Sequence, residues 1–189
     1  KNRRLYHDMN NHNLVMWKLA EKGEYERLHK YIGKLRPLEK DRHRQWTQNL
    51  ILDMILEYKL LAMEKKKILY EIKTDMIGEI ALADKELCIL LGNLLDNAIE
   101  ACEKLEEEKR MVKIEVRKHH SMFMLIVENS CEAHAQVRKG IFRTTKKDDR
   151  MHGYGIHNVR KTVKNRGGQF QYGSRGENFY VKILIPLVI

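Results

Sequence analysis

Between Leu5 and Lys65 only Gly23, Gly33 and Pro37 interrupt a chain otherwise built of helix formers. A segment this poor in glycine and proline, with apolar residues on a three-four rhythm, buries its hydrophobic side by packing helix against helix. Leu5, Met9, His12, Met16 and Leu19 recur at alternating spacings of four and three, and Tyr25, Leu28, Ile32 and Leu35 repeat likewise after a phase break at Gly23. A second helix, Gln45 to Lys65, carries Ile51, Ile55, Tyr58 and Ala62 in the same rhythm beside Leu50, Met54 and Leu61. That is more apolar surface than one antiparallel neighbour covers. The expectation for residues 1–66 is therefore a helical hairpin, joined near Pro37, that dimerises into a four-helix bundle.

From about Ile68 the rhythm changes to the two-residue alternation of strands. Ile68 to Lys73 reads as a strand, Asp84 to about Leu105 as a helix with Asp84 as its N-cap, and Met111 to Lys118 with Met122 to Glu128 as a hairpin. A charged loop from about Ser130 to His152 precedes a helix, Tyr154 to Asn165, stopped by Gly167-Gly168. Two more strands, Gln169 to Tyr172 and Phe179 to Leu184, complete the pattern. Residues 67–189 are thus expected to form an α+β sandwich, a sheet with helices on one face.

A chain of 189 residues with 43% apolar content can bury a core, and its net charge of +10 favours an anionic partner without choosing among nucleotide, lipid and nucleic acid. Three scattered cysteines, Cys88, Cys102 and Cys131, with no CxxC pair argue against a disulfide framework or a thiolate zinc site and favour a reducing compartment. No apolar run is long enough to span a bilayer, no signal peptide opens the chain, and the absence of an initiator Met suggests a piece of a longer protein.

Four constellations carry chemistry. On the helix from Asp84, Asn93, Asn97 and Glu100 fall within one narrow stripe at about 100° per residue. Asparagine is a poor helix former, and its neutral amide oxygen suits a magnesium ion that takes most of its ligands from phosphates and water. An ordinary polar stripe is the plain alternative. Gly153-Tyr154-Gly155 directly precedes a helix, where glycine permits close approach and the helix N-terminus attracts phosphate; a simple helix-start turn would look the same. The loop from Arg138 to His152 holds six cationic residues against two acidic ones, fitting either a flap over phosphates or a solvated loop. Finally, His7 is followed by Asp8 and, one turn on, by Asn11. With Leu5, Met9, His12 and Met16 on the seam, His12 points into the bundle while His7 lies about 200° from Leu5 and faces outward. A neutral imidazole is a nucleophile at pH 7, and a neighbouring carboxylate can orient it and take its proton.

Together these pieces resemble a sensor histidine kinase of the GHKL superfamily, of the atypical class that includes quorum-sensing peptide receptors of Gram-positive bacteria. His7-Asp8-x-x-Asn11-His12 is similar to the phosphoacceptor motif of that class. Asn93-Leu94-Leu95-Asp96-Asn97-Ala98-Ile99-Glu100-Ala101 is similar to its N box, and Gly153-Tyr154-Gly155-Ile156-His157-Asn158-Val159 to its second glycine box. The resemblance implies a GHKL-type α/β sandwich that binds ATP, with magnesium held by Asn93 and Asn97 and Glu100 nearby. Thr144, Thr145 and Lys146 of the lid, with Gly153, Gly155 and Ile156 at the helix start, would hold the nucleotide. His7 would receive the γ-phosphoryl group with Asp8 as base and pass it to an aspartate of a response regulator, and Asn11 would position water for a phosphatase reaction. It also implies a homodimer through the N-terminal helices and a cytoplasmic fragment of a protein held at the cell membrane by a sensor region upstream.

One departure is visible. Where the family has Asp-x-Gly-x-Gly after a strand, this chain has Asn129-Ser130-Cys131; Asn129 would bond adenine through its side-chain oxygen, and a pseudokinase is the alternative. An anti-sigma-like serine kinase or an ATP-gated clamp are further rivals, although a hydrolysing clamp would be expected to carry Glu where Asn93 stands. A basic nucleic-acid-binding dimer is the reading from a different class. Against it, the aromatics form no stacking platform and the charges do not gather on one helix face, so no direct nucleic-acid contact is expected.

Overall fold

The structure, a computed structural model, describes residues 2–35, 45–80, 82–132 and 154–187, with side chains from Asp8 in the first stretch and from Gly155 in the last. The chain divides into two compact units, Lys1–Arg42 and His43–Ile189.

The first unit is a hairpin of α1 (Asn2–Glu21) and α2 (Tyr25–Leu35). The reversal is made at Gly23, whose φ of 69° is unfavourable for any residue with a β-carbon. There the Glu24 N–H reaches the Leu19 carbonyl (2.9 Å) and the Gly23 N–H that of Ala20 (3.0 Å), the paired bonds of a Schellman stop. The phase break is thus the turn itself. His12 Nδ1 lies 2.8 Å from the Tyr31 hydroxyl across the hairpin, so His12 points inward, as its place on the seam predicts.

This corrects one expectation. The helix that returns along α1 is α2, and the helix expected as second arm of a hairpin, α3 (Leu50–Lys65), belongs to the second unit. The chain's contacts divide near Arg42, not after Lys66. The reason lies in how α3 begins. Asn49 caps it by accepting from the Leu52 N–H (3.1 Å), and buried Asp53 accepts from both the N–H and the hydroxyl of Thr47 (3.0 and 2.7 Å). The same segment is stitched to the chain leaving β1 (Leu69–Thr74). Ile77 and Gly78 donate to the Thr47 carbonyl (2.8 and 3.0 Å), and Asn49 Nδ2 donates to the Gly78 carbonyl (3.1 Å). Leu52, Leu56, Leu60 and Met63 are then buried in the core of the second unit.

That unit continues with α4 (Asp84–Cys102), β2 (Met111–His119), β3 (Met122–Ser130), α5 (Tyr154–Asn165), β4 (Gln169–Arg175) and β5 (Asn178–Pro186). The sheet order is β1-β2-β3-β5-β4, with β1 parallel to β2 across the α4 crossover and every other pairing antiparallel. On β2, β3 and β5 alternate residues are buried (Val112, Ile114, Val116; Phe123, Leu125, Val127; Val181, Ile183, Ile185). One face of the sheet is therefore covered, and it forms a single core with Leu87, Leu91, Leu94, Leu95 and Ala98 of α4 and Val159 and Val163 of α5. This is the expected α+β sandwich. Three details differ: the cap of α4 is Ala83, one residue early, with its N–H bonded to Glu86 Oε2 (2.9 Å); α4 ends at Cys102; and β4 and β5 run longer than their alternation indicated.

The stop at Gly167-Gly168 has two separate causes. Gly167 takes φ 64°, which glycine tolerates. At Gly168 a β-carbon would run into the Leu184 carbonyl oxygen, which is main chain and cannot yield, and would crowd Val163 and Ile185.

Candidate functional site

The stripe Asn93, Asn97, Glu100 lies on the side of α4 turned away from the sheet. Asn93 is half-buried, while Asn97 and Glu100 are exposed. The Asn93 side chain is fixed from within its own helix, Nδ2 donating to the Ile89 carbonyl at 2.7 Å. Its oxygen is then aimed at the start of α5, where a β-carbon built on Gly155 would stand 2.8 Å from Asn93 Oδ1. A real β-carbon never sits that close to a neighbouring atom, so Gly155 must be bare for α5 to approach. Two motifs 62 positions apart in the sequence thus meet at one point. Spacing alone had no signal for this contact, because each motif is explained locally by its own helix; only the family resemblance brought the two motifs to one nucleotide.

Asn129 lies near the end of β3, buried on the covered face in line with Val127 and Leu125. Its Nδ2 donates to the Ser130 carbonyl (2.8 Å), so what it can offer a base is its amide oxygen. The C-terminal end of α4 sits over this point, with Cys102 Sγ bonded to the carbonyls of Met111 (3.5 Å) and Ser130 (3.7 Å). From Asn93 to Cys102 is nine residues, about 13 Å of helix at 1.5 Å per residue. The stripe therefore runs from the Asn93–Gly155 contact toward Asn129. Ile156 follows Gly155 on α5 and packs against the core.

Two flanks hold α4 in place. At its start Glu86 receives a forked pair of bonds from Arg166 at the end of α5, the Nε bond at 3.0 Å. That bond, more than any other factor, holds the Glu86 carboxyl below its ordinary range. On the other side Lys59 of α3 meets Asp96 at 2.5 Å, and Lys66 just beyond α3 meets Glu103 just beyond α4 at 2.6 Å. Seven residues separate the rungs on each side, in the same direction, so α3 and α4 run parallel. Neither partner in the Lys59–Asp96 pair stands out in the sequence, since both read as surface charge.

The cysteines are all free; Cys102 and Cys131 are buried and Cys88 exposed. Burial pushes both buried thiols up, which makes them poor nucleophiles at neutral pH. Among the described residues no cluster of three metal-ligating side chains occurs and no helix is long and apolar enough to cross a membrane. Magnesium does not require such a cluster, because one or two neutral oxygens suffice where phosphates supply the rest. The pinned oxygen of Asn93 fits that demand.

In the first unit His7 lies in α1, with its side chain outside the described residues, and Asp8 and Asn11 are exposed. Thr144, Thr145, Lys146 and Gly153 also lie outside the described residues, as does the loop Arg138 to His152.

Residues 82–186, more than half of the chain, match the GHKL domain family, and the protein belongs to it. None of the curated proteins matches the sequence. Among solved structures, the nucleotide-free catalytic domain of histidine kinase ThkA is 21% identical with a TM-score of 0.59, covering 76% of this chain and 97% of that one. Histidine kinase AdeS from Acinetobacter baumannii is 15% identical with a TM-score of 0.54, covering 97% and 98%. The mycobacterial sensor histidine kinase MprB is 15% identical with a TM-score of 0.51, covering 72% and 93%. At these identities the likeness is one of fold.

Proposed function

We propose that the protein is an ATP-dependent histidine kinase of a two-component system. The observation that carries this reading is the contact of Asn93 with Gly155: in a GHKL domain it joins an amide oxygen suited to a phosphate-bound cation with a helix N-terminus that attracts phosphate. ATP is the substrate. Its adenine end would meet Asn129 and its phosphates Asn93, Asn97 and Gly155, with Glu100 nearby in the pocket; Thr144, Thr145, Lys146 and Gly153 would be further nucleotide-holding residues. Asn93 and Asn97 would hold magnesium, which when bound would neutralise phosphate charge.

The acceptor is His7. A ring nitrogen attacks the γ-phosphorus, an N–P bond forms as the bond to the bridging oxygen breaks, ADP leaves, and the ring proton passes to Asp8. Alignment and charge neutralisation provide most of the acceleration for a loose phosphoryl transition state. The phosphoryl group then moves to an aspartate of a response regulator, and Asn11 places water for the reverse, phosphatase mode. The first unit serves as the homodimeric, phosphoacceptor part. Membrane attachment through an upstream sensor, and membership of the quorum-sensing peptide-receptor class, belong to the same proposal.

Asn129 supports a second reading, a pseudokinase, because an amide bonds an adenine amino group less strongly than a carboxylate does. One experiment separates the two. With magnesium and γ-labelled ATP, wild type is expected to gain acid-labile, base-stable label that disappears in His7→Gln and in Asn93→Ala. Label that survives in His7→Gln refutes the acceptor, and wild type that stays unlabelled at millimolar ATP favours the pseudokinase.

A further inference from the structure

We propose that Lys59 is a positioning residue for the nucleotide site, acting through Asp96 to set the rotation of α4; the inference rests on the nucleotide-binding reading above. The Lys59 side chain is only 11% exposed, whereas its partner Asp96 is 56% exposed. The enclosed stem fixes where the ammonium emerges beside Asp96, so the pair ties α3 to α4 at one defined point.

That point lies within the site's own motif. Asp96 falls between Asn93 and Asn97 in sequence and, at 100° per residue, about 60° around the helix from Asn93. Core packing through Leu91, Leu94, Leu95 and Ala98 grips the sheet side of α4. The amide stripe lies on the opposite side, where the lateral contacts are Gly155 on one flank and the Lys59–Asp96 and Lys66–Glu103 rungs on the other. A 15° turn of α4 about its axis would carry a group at its rim by roughly 1.5 Å, given a helix diameter of about 10–12 Å with side chains. A displacement of that size at a phosphate-orienting group is enough to weaken function strongly. In the Lys66–Glu103 rung the lysine is more exposed, at 38% against 11% for Lys59, so its stem is less confined and the rung holds α4 less firmly. Because α3 is the first element of the second unit, anything that shifts α3 would reach Asn93 and Asn97 through Lys59.

The test uses the full chain and two readouts. Lys59→Met keeps the aliphatic stem and removes the charge. It is expected to weaken binding of trinitrophenyl-ATP with magnesium by about tenfold to a hundredfold, the scale set by partners of ligand-orienting groups, while the thermal midpoint holds. Lys59→Arg is expected to restore binding. In nucleotide-free protein, Lys59→Met is also expected to shift the side-chain amide resonances of Asn93 and Asn97. Wild-type affinity in Lys59→Met overturns the inference, as does a loss that tracks the thermal midpoint and is not restored by Lys59→Arg. Should wild type itself fail to bind the analogue, the nucleotide reading falls, and the amide resonances decide the positioning role: unmoved resonances overturn it, and shifted ones support it.

Discussion

The two units of the chain handle the same apolar rhythm in opposite ways. In the hairpin no described side chain is buried, and Met9, Leu14, Trp17 and Tyr25 are all more than half exposed. In the second unit α3 has a similar rhythm, yet Leu52, Leu56 and Met63 are wholly enclosed. A hairpin of two helices closes only one seam, whereas a sheet face with three helices over it closes on every side. The difference teaches that the same rhythm leaves apolar surface open in the described hairpin and enclosed in the second unit, which is why the dimer proposed for the hairpin is worth testing.

Truncation inside the two units is the sharpest way to break that contrast. Leu56→Ala is expected to cost about 2–5 kcal/mol of unfolding free energy, the range for enclosed leucines, whereas Leu28→Ala in the half-buried hairpin seam should cost less in a monomer. Chemical denaturation followed at Trp46 and by circular dichroism measures both, and equal costs would erase the distinction.

A smaller effect concerns the dimer proposed for the hairpin. Trp17→Ala is expected to weaken self-association by about tenfold to thirtyfold, as loss of an aromatic anchor does, with the core of the second unit untouched. Sedimentation velocity across a dilution series checks this, and an unchanged monomer fraction would remove Trp17 from the contact.

Gly155→Ala is expected to act on the site and not on the core. The added carbon must push the Asn93 amide away from its bond to Ile89, giving about a tenfold loss of nucleotide affinity, or 1.4 kcal/mol. The thermal midpoint should move little, since the atom displaced is a side-chain tip. Titration calorimetry beside a thermal scan would expose the opposite pattern.

Acid should loosen the second unit through Glu86. Its folded carboxyl titrates below the ordinary 4.5, chiefly because Arg166 bonds it, with the Ala83 N–H adding to the effect. A depressed folded value means that the stabilisation is complete above the unfolded value and is lost as pH falls through the folded one. Glu86→Gln should therefore flatten the fall of the thermal midpoint below about pH 4.5. The smallest effect is expected at Lys67, which closes α3 at φ 53°. Lys67→Gly should raise stability by about 0.5–1 kcal/mol, less any loss of its exposed pair with Glu107.

Much of this arrangement was legible in the residues. The helix Tyr154 to Asn165 has the bounds its pattern predicts, the hairpin of β2 and β3 falls within two residues of its alternation, and His12 faces inward as its seam position requires. The N-terminal seam misled in one respect. Gly23 reads equally well as a phase break or as a reversal, and the choice rests on the Schellman bonds formed there. The reading of α3 as a bundle helix failed because Thr47, Asn49 and Asp53, which tie it to the segment after β1, look like ordinary capping residues in a linear sequence.

Periodicity and local stop signals, then, were set by the sequence by itself: that α5 would stop at Gly167-Gly168 and that two asparagines would share a stripe with Glu100. These depend on neighbours within a turn or two, so linear spacing suffices. The seam read on α3 was not the enclosed face, since Leu50, Met54 and Tyr58 are exposed while Leu52, Leu56, Leu60 and Met63 are buried. The tertiary structure decided which apolar face meets which. It assigned α3 to the sheet, brought Gly155 against Asn93, and bound Lys59 to Asp96. The last two join residues 62 and 37 positions apart, and the ties of the α3 start to the segment after β1 span 29 to 31; a face that must be buried carries no mark of the partner that will bury it.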